Sequence, residues 1–105
     1  MAHRRSARQH AVQCQLNIRA ELTQARTRAI SLACAITRAA GLRIQSGRAE
    51  TFLARLAALD LSASMNATLS PLRSLIEVLD DELVCADERF ETIMAADPVA
   101  KRLMT

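Results

Sequence analysis

The chain has 105 residues, of which half are apolar and only two, Phe52 and Phe90, are aromatic. It contains two glycines, two prolines, and thirteen arginines beside a single lysine. So few helix breakers and aromatic residues exclude a sheet-based domain with a large core and favour a small all-α structure.

The net charge of +3 conceals an uneven distribution. Residues 1–56 carry ten arginines against two glutamates, a net of +8, whereas residues 57–105 carry four basic residues against nine acidic ones, a net of −5. The basic half could contact a polyanion. Alternatively, the two halves pair with each other, or the arginines reflect a GC-rich genome.

The three cysteines, Cys14, Cys34 and Cys85, lie far apart and form no C-x-x-C pair. They predict neither a zinc site nor a disulfide framework, but small buried residues in a protein of the reducing cytoplasm. No apolar stretch follows the basic N-terminus, and none elsewhere approaches eighteen residues. We therefore expect no secretory signal and no membrane span.

The first element in chain order is a long basic helix over residues 6–40. From Ile18 onward its apolar residues alternate at four- and three-residue intervals, which is the spacing of a coiled-coil seam. Gly41 is suited to the left-handed position that ends a helix. The predicted seam comprises Ala7, Ala11, Cys14, Ile18, Leu22, Ala25, Ala29, Leu32, Ile36 and Ala39.

A shorter helix is predicted over residues 47–60. Its apolar side chains share one face. The sequence Asp-Leu-Ser-Ala-Ser that follows indicates a turn or kink. The face consists of Phe52, Leu53, Leu56 and Leu59.

A second long helix, acidic this time, is predicted over residues 63–96. Its seam is as regular as the first and comprises Met65, Leu69, Leu72, Ile76, Leu79, Leu83, Ala86, Phe90 and Ile93. Pro71 either starts this helix near residue 70 or kinks a longer one that begins near residue 63. Asp97-Pro98 then opens a further helix, over residues 98–105, which has no room to continue.

These elements predict an all-α fold, an elongated helical hairpin or coiled coil in which two long heptad helices are joined by a shorter one. An alanine-rich seam facing a leucine-rich seam suits close antiparallel packing within the chain. Pairing between two chains is the alternative, because such seams commonly form dimers.

Motifs for catalysis and for metal or cofactor binding are absent from the sequence. The acidic runs Asp80-Asp81-Glu82 and Asp87-Glu88 are most simply the solvated face of the second long helix. No nucleophile has an evident neighbouring base, and His3 and His10 suit a solvated surface. We therefore expect no enzyme activity, no cofactor, no metal and no small-molecule ligand.

The basic helix is the candidate binding surface. When it is drawn at 100° per residue, Arg5, Arg8, Arg19 and Arg26 fall within about 60° of one another, on one flank of the seam. Such a flank could follow a nucleic-acid backbone, with guanidinium groups on phosphates. Exposed aromatic residues for base stacking are lacking, so binding should be salt-sensitive and weakly sequence-selective.

Two long phrases of the sequence resemble a known family. RQHAVQCQLNIRAELTQARTRAISLACAITRAAGLRIQSG and SPLRSLIEVLDDELVCADERFETIMAADPVAKRLMT are similar to consecutive helices of bacterial insertion-sequence transposases with a DEDD-type, RuvC-like catalytic domain, related to the Piv invertase. In that family the Arg-Leu-Met-Thr phrase leads into a Pro-Gly-Val-Gly motif and the C-terminal transposase domain. The resemblance extends from about Arg8 to Thr105.

The resemblance implies that this chain is the helical connector of such a transposase. The family's carboxylate tetrad lies upstream and its catalytic serine downstream, and no residue here matches either. The connector of the family helps to assemble the multimer and lies near guide RNA and DNA. We therefore expect a truncated transposase fragment in DNA transposition whose partners are nucleic acid, another copy of itself or an intact transposase.

A stand-alone helical adaptor that binds a partner helix is the alternative function. A basic helix lying on anionic lipid is disfavoured, because the seam is rich in alanine and lacks the residues that anchor such helices.

Overall fold

A computed structural model describes residues 7–95 of the chain. It contains the helices α1 (Ala7–Ala39), α2 (Phe52–Ala57) and α3 (Ala63–Ala95), with a single 3₁₀ turn at Ala49–Thr51 immediately before α2. The two long helices run antiparallel and pack against each other, and the described residues include no strand. The all-α hairpin predicted from the sequence is confirmed. The predicted helix over residues 98–105 lies outside the described part of the chain.

The molecule is elongated, with principal dimensions of 59 × 33 × 19 Å. Its radius of gyration is 18.7 Å, whereas a compact domain of this length would have one of about 13 Å. The longest dimension follows from the long helices, because 33 residues at 1.5 Å each span about 50 Å.

The end of α1 is fixed by a glycine. Gly41 has a φ of +83°, the left-handed conformation that other residues adopt only with strain. Its N–H donates to the carbonyl of Arg38 at 3.0 Å, and the Leu42 N–H donates to the carbonyl of Thr37 at 2.9 Å. This pair of bonds is a Schellman motif, which satisfies carbonyls that the helix end would leave free.

The short helix is smaller than the sequence indicated. Instead of one helix over residues 47–60, residues 40–48 form an irregular loop, and a 3₁₀ turn leads into the six residues of α2. The hydroxyl of Thr51 and the guanidinium of Arg55 donate hydrogen bonds to carbonyls of the loop. These side chains take the place of the main-chain N–H donors that a longer helix would have provided.

Helix α3 is continuous through Pro71. Its first turn is capped by Ser62, whose hydroxyl accepts the Met65 N–H at 3.1 Å. Pro71 is exposed inside the helix, where it cannot donate to the carbonyl four residues earlier. The sequence left two starting points open for this helix, and the structure has the earlier one.

The core lies near the closed end of the hairpin. Phe52 and Leu56 of α2 are fully buried against α1 and α3, where the two long helices bury Ala29, Ala33, Leu69 and Ile76. Alanine fits α1 at these positions because the large side chains of the other two helices fill the same space.

The buried face of α1 differs from the predicted seam. Ala33 and Thr37, which are outside that seam, are 0% and 1% exposed, whereas Ile18 and Leu32, which belong to it, are 48% and 52% exposed. The helix is turned toward α2 as well as α3, so its buried strip is displaced from the heptad positions. In α3, by contrast, the buried residues are all seam positions, namely Leu69, Ile76, Leu79, Leu83 and Ala86.

Candidate nucleic-acid interface

The predicted arginine flank of α1 faces α3. Arg19 Nε lies 2.6 Å from Asp87 Oδ1, and Arg26 Nη1 lies 3.0 Å from Asp80 Oδ1. The two arginines are seven residues apart in α1, and their partners are seven residues apart in α3 in the reverse order. This is the pairing expected of antiparallel helices. These two arginines are therefore engaged in cross-helix ion pairs.

Arg26 is also deeply enclosed. Its side chain is only 11% exposed, and its second terminal nitrogen lies 3.5 Å from Glu50 Oε1, beside the 3₁₀ turn. Its Nε is buried without a hydrogen-bond partner. A guanidinium in this position connects three segments of the chain. It is poorly placed to reach a phosphate outside the molecule.

The other two predicted site residues cannot be compared in the same way. Arg5 lies outside the described residues. Arg8 lies in the first turn of α1, and the structure describes its main chain alone. Their role as nucleic-acid contacts stays a prediction.

A second group of arginines lies at the closed end of the hairpin. Arg38 is in the last turn of α1, and Arg43 and Arg48 are in the loop over residues 40–48. All three are exposed. Within residues 7–95 none of them forms an ion pair, in contrast to Arg19, Arg26 and Arg28. Unsatisfied positive charge is therefore concentrated at this end.

Two of these arginines border a cleft of about 770 Å³, which we call the turn cleft. No acidic side chain lines it. Its polar lining is formed by Thr27, Ser31, Arg38, Arg43, Gln45, Ser46 and Arg55. Hydroxyl, amide and guanidinium donors with no carboxylate among the lining residues are suited to an anion.

Arg55 holds the loop that borders the turn cleft. Its guanidinium donates to the carbonyls of Gln45 and Arg48 and, through Nε, to the hydroxyl of Thr51 at 3.2 Å. Gly47 allows this approach, because a Cβ at that position would lie 2.7 Å from Arg55 Nε. Arg55 therefore fixes the loop, while Arg38 and Arg43 remain available.

Sequence reasoning missed the turn cleft because it followed the helical periodicity. It considered the flank of the first long helix alone and assigned no role to Arg38, Arg43 or Arg48. The available signal was local composition, since residues 38–55 hold four arginines and one glutamate across a stretch with both glycines.

Catalytic and metal-binding groups are sparse. Cys14 Sγ lies 3.6 Å from His10 Nε2, one helical turn away, so one nucleophile does have a neighbouring base, contrary to the sequence-based expectation. Neither residue lines the turn cleft. Cys85 is exposed, although a buried position was expected. Among residues 7–95 there is no cluster of three potential metal ligands, and no helix there has the length and apolarity needed to cross a membrane.

Comparison with known proteins gives no family assignment. No protein-family model matches the chain, and no curated protein or solved structure is significantly similar to it. The geometry of the described residues thus defines an all-α hairpin with two ion pairs between its long helices and with three exposed arginines at its closed end that form no ion pair.

Proposed function

We propose that this chain is a helical connector of the insertion-sequence transposase type that carries no catalytic residues of its own and contacts a nucleic-acid backbone. The proposal rests on the sequence phrases described above and on the charge distribution of the hairpin. The observation that carries the nucleic-acid contact is the group of Arg38, Arg43 and Arg48, exposed and without acidic partners.

The hairpin itself suits a connecting role. Cross-helix ion pairs and a shared core hold α1 against α3, and the longest dimension is 59 Å. Because α1 and α3 are antiparallel, residues 7 and 95 lie at the open end, so an element of this kind presents its closed end at a distance from any parts joined to it. The core of the hairpin is small and mainly apolar, and the described residues combine no nucleophile, base and acid in one pocket. These features support a scaffold in preference to an enzyme.

A direct test is fluorescence anisotropy with labelled duplex DNA and a structured RNA at two salt concentrations. We expect binding to both, with affinity that falls as salt rises, because arginine–phosphate contacts release counterions. Binding that does not weaken between low and moderate salt would contradict backbone contact. Absence of binding even at low salt would contradict the nucleic-acid role altogether.

Membership of the transposase family can be tested separately. The DNA downstream of the codon for Thr105 can be translated in all three frames. A Pro-Gly-Val-Gly phrase there would support the transposase connector, and unrelated sequence would favour the adaptor described next.

The second candidate function is a helical adaptor, and one observation favours it. Ile18, Ala25 and Leu32 recur at seven-residue intervals and so form one strip of α1, yet Ile18 and Leu32 are about half exposed. Leu75 of α3, level with Leu32 in the antiparallel register, is 46% exposed. An apolar strip of this kind could receive a helix from another copy of the chain or from a partner protein.

The adaptor is tested by sedimentation velocity over a range of concentrations. Self-association that is lost on Leu32→Glu, with an unchanged melting temperature, would support pairing through this strip. A monomer at every concentration would exclude a second copy as the occupant.

A further inference from the structure

The turn cleft combines three features of an anion site. It is bordered by Arg38 and Arg43, it contains no carboxylate, and hydroxyl or amide groups complete its polar lining. In addition, no main-chain N–H from Arg43 to Gly47 donates to a main-chain oxygen in the structure. The loop therefore offers both charged and neutral donors that the fold does not use.

The shape of the loop is fixed from within the protein. The three hydrogen bonds of Arg55 join the loop at Gln45 and Arg48 to the 3₁₀ turn at Thr51. Arg55 also packs over the buried ring of Phe52, with its guanidinium carbon 5.6 Å from the ring centroid. A loop held in this way loses little conformational entropy when a ligand binds.

The three arginines differ in what the fold explains about their positions. Arg38 lies in the last turn of α1, where a positive charge also complements the helix dipole, so its position has a structural reason. Arg43 and Arg48 lie in the irregular loop and are exposed, and their guanidinium groups have no partner within the described residues. Arg43 lines the turn cleft, and Arg48 lies beside it in the sequence of the loop, next to the lining residues Gly47 and Ala49.

We propose that the turn cleft binds a phosphate group through Arg43 and Arg38, with Arg48 contributing from the adjoining part of the loop. We name a nucleic-acid backbone as the source of this phosphate, and that part of the inference rests on the proposed function. A free phosphate or pyrophosphate offers the same chemistry to the site. The backbone contact is thereby assigned to the closed end of the hairpin, instead of the flank of α1.

The test compares two double variants of the full chain that lose the same charge. Arg43→Gln/Arg48→Gln alters the loop, and Arg28→Gln/Arg89→Gln, the matched control, alters two exposed arginines outside it. We expect the loop variant to raise the Kd for a labelled duplex at least tenfold and to lower the salt slope by about one, since the cleft holds one phosphate and each phosphate contact contributes about 0.9 to that slope. The control should change the Kd by less than threefold.

Circular dichroism melting verifies that both variants are folded. We expect this because the loop guanidinium groups have no partner to lose and the control loses one exposed ion pair, between Arg28 and Glu21 at 3.4 Å. A third variant, Arg43→Lys/Arg48→Lys, keeps the charge and should retain most of the salt slope. Equal weakening by the loop and control variants would overturn the cleft and leave a diffuse electrostatic contact, with the proposed nucleic-acid binding intact.

Calorimetric titration with inorganic pyrophosphate distinguishes the two sources of phosphate. Binding of pyrophosphate that disappears in the loop variant, with no binding of DNA or RNA by the unmodified chain, would support the cleft as a free-phosphate site and contradict the proposed function. If the unmodified chain binds neither pyrophosphate nor nucleic acid, both the cleft and the proposed function are refuted.

Discussion

The ion pair between Arg26 and Asp80 provides the sharpest test of how the hairpin is held together. Replacing Asp80 with asparagine would leave the Arg26 guanidinium in place, 11% exposed, with Glu50 at 3.5 Å as its remaining acidic partner. Removing one partner of a fully buried pair costs about 3–5 kcal/mol, because an uncompensated charge stays in the interior. Asp80 is 27% exposed and Glu50 gives partial compensation, so we expect a loss of about 2 kcal/mol.

The measurement is urea unfolding followed by far-ultraviolet circular dichroism. Asp87→Asn is the matched control, because it makes the same chemical change one heptad further along α3. Its pair with Arg19 is short, at 2.6 Å, but the two side chains are 50% and 52% exposed. Exposed pairs contribute about 0–1 kcal/mol, so the control should lower the free energy of unfolding by less than about 0.5 kcal/mol.

A double replacement extends the test. In Arg26→Leu/Asp80→Leu no buried charge remains, and most of the stability lost in Asp80→Asn should return, since apolar residues of similar volume commonly replace buried pairs without loss. Equal destabilisation by Asp80→Asn and Asp87→Asn would refute this reasoning, because it would mean that the burial of Arg26 has no energetic consequence. A double variant less stable than Asp80→Asn would refute it as well.

Substitutions at four further positions test the interior of a helix, the end of a helix and the core. Pro71→Ala should raise the free energy of unfolding by about 1–3 kcal/mol, and with it the urea midpoint, because proline in a helix interior removes a hydrogen bond. A lower midpoint would contradict this. Gly41→Ala should lower the free energy of unfolding by about 1 kcal/mol, because alanine is strained at a positive φ. Gly41→Asn should lower it less, and an equal loss for both variants would argue against backbone strain. Leu69 is 0% exposed, so Leu69→Ala should lower the free energy of unfolding by about 2–5 kcal/mol. Leu32 is 52% exposed, so Leu32→Ala should lower it by less than about 0.5 kcal/mol. Similar losses for the two variants would place Leu32 in a buried interface.

Local signals in the sequence were sufficient for the hairpin. Gly41 marks the end of the first long helix because only a residue without a side chain takes a φ of +83° without strain. The period of the apolar residues in α3 identifies its buried face, because that face packs against a single long partner along most of its length. Features of this kind depend on residues within a few turns of each other.

The buried face of α1 could not be found in the same way. A heptad pattern assumes one partner helix, but α1 also packs against Phe52 and Leu56 of α2. The apolar face of that short segment was visible in the sequence. The direction from which it approaches α1 depends on a nine-residue loop, and nothing in the local sequence determines that direction. The burial of Ala33 and Thr37 follows from this tertiary contact.

The role of the α1 arginines depended on residues far away in the sequence. Helical periodicity placed Arg19 and Arg26 on one flank but could not show what faces them. The chain did contain a usable signal, because Asp80 and Asp87 are also seven residues apart. Two basic and two acidic residues at matching intervals favour an antiparallel pair of helices bound to each other, and the structure has both ion pairs.

These ion pairs also determine how a polyanion can approach the protein. A guanidinium paired with a carboxylate, as Arg26 is with Asp80 at 3.0 Å, has its charge partly compensated, so a phosphate gains less free energy from it than from an unpaired arginine. Along α3, further exposed carboxylates without basic partners in the described part of the chain would repel a nucleic-acid backbone; they are Glu77, Asp81, Glu82, Glu88 and Glu91. At the closed end, the turn cleft is bordered by Arg38 and Arg43 and is lined by no acidic side chain. We therefore expect a nucleic acid to contact the hairpin end-on at the turn cleft, with a footprint of a few phosphates, instead of lying along the helices as the sequence alone indicated.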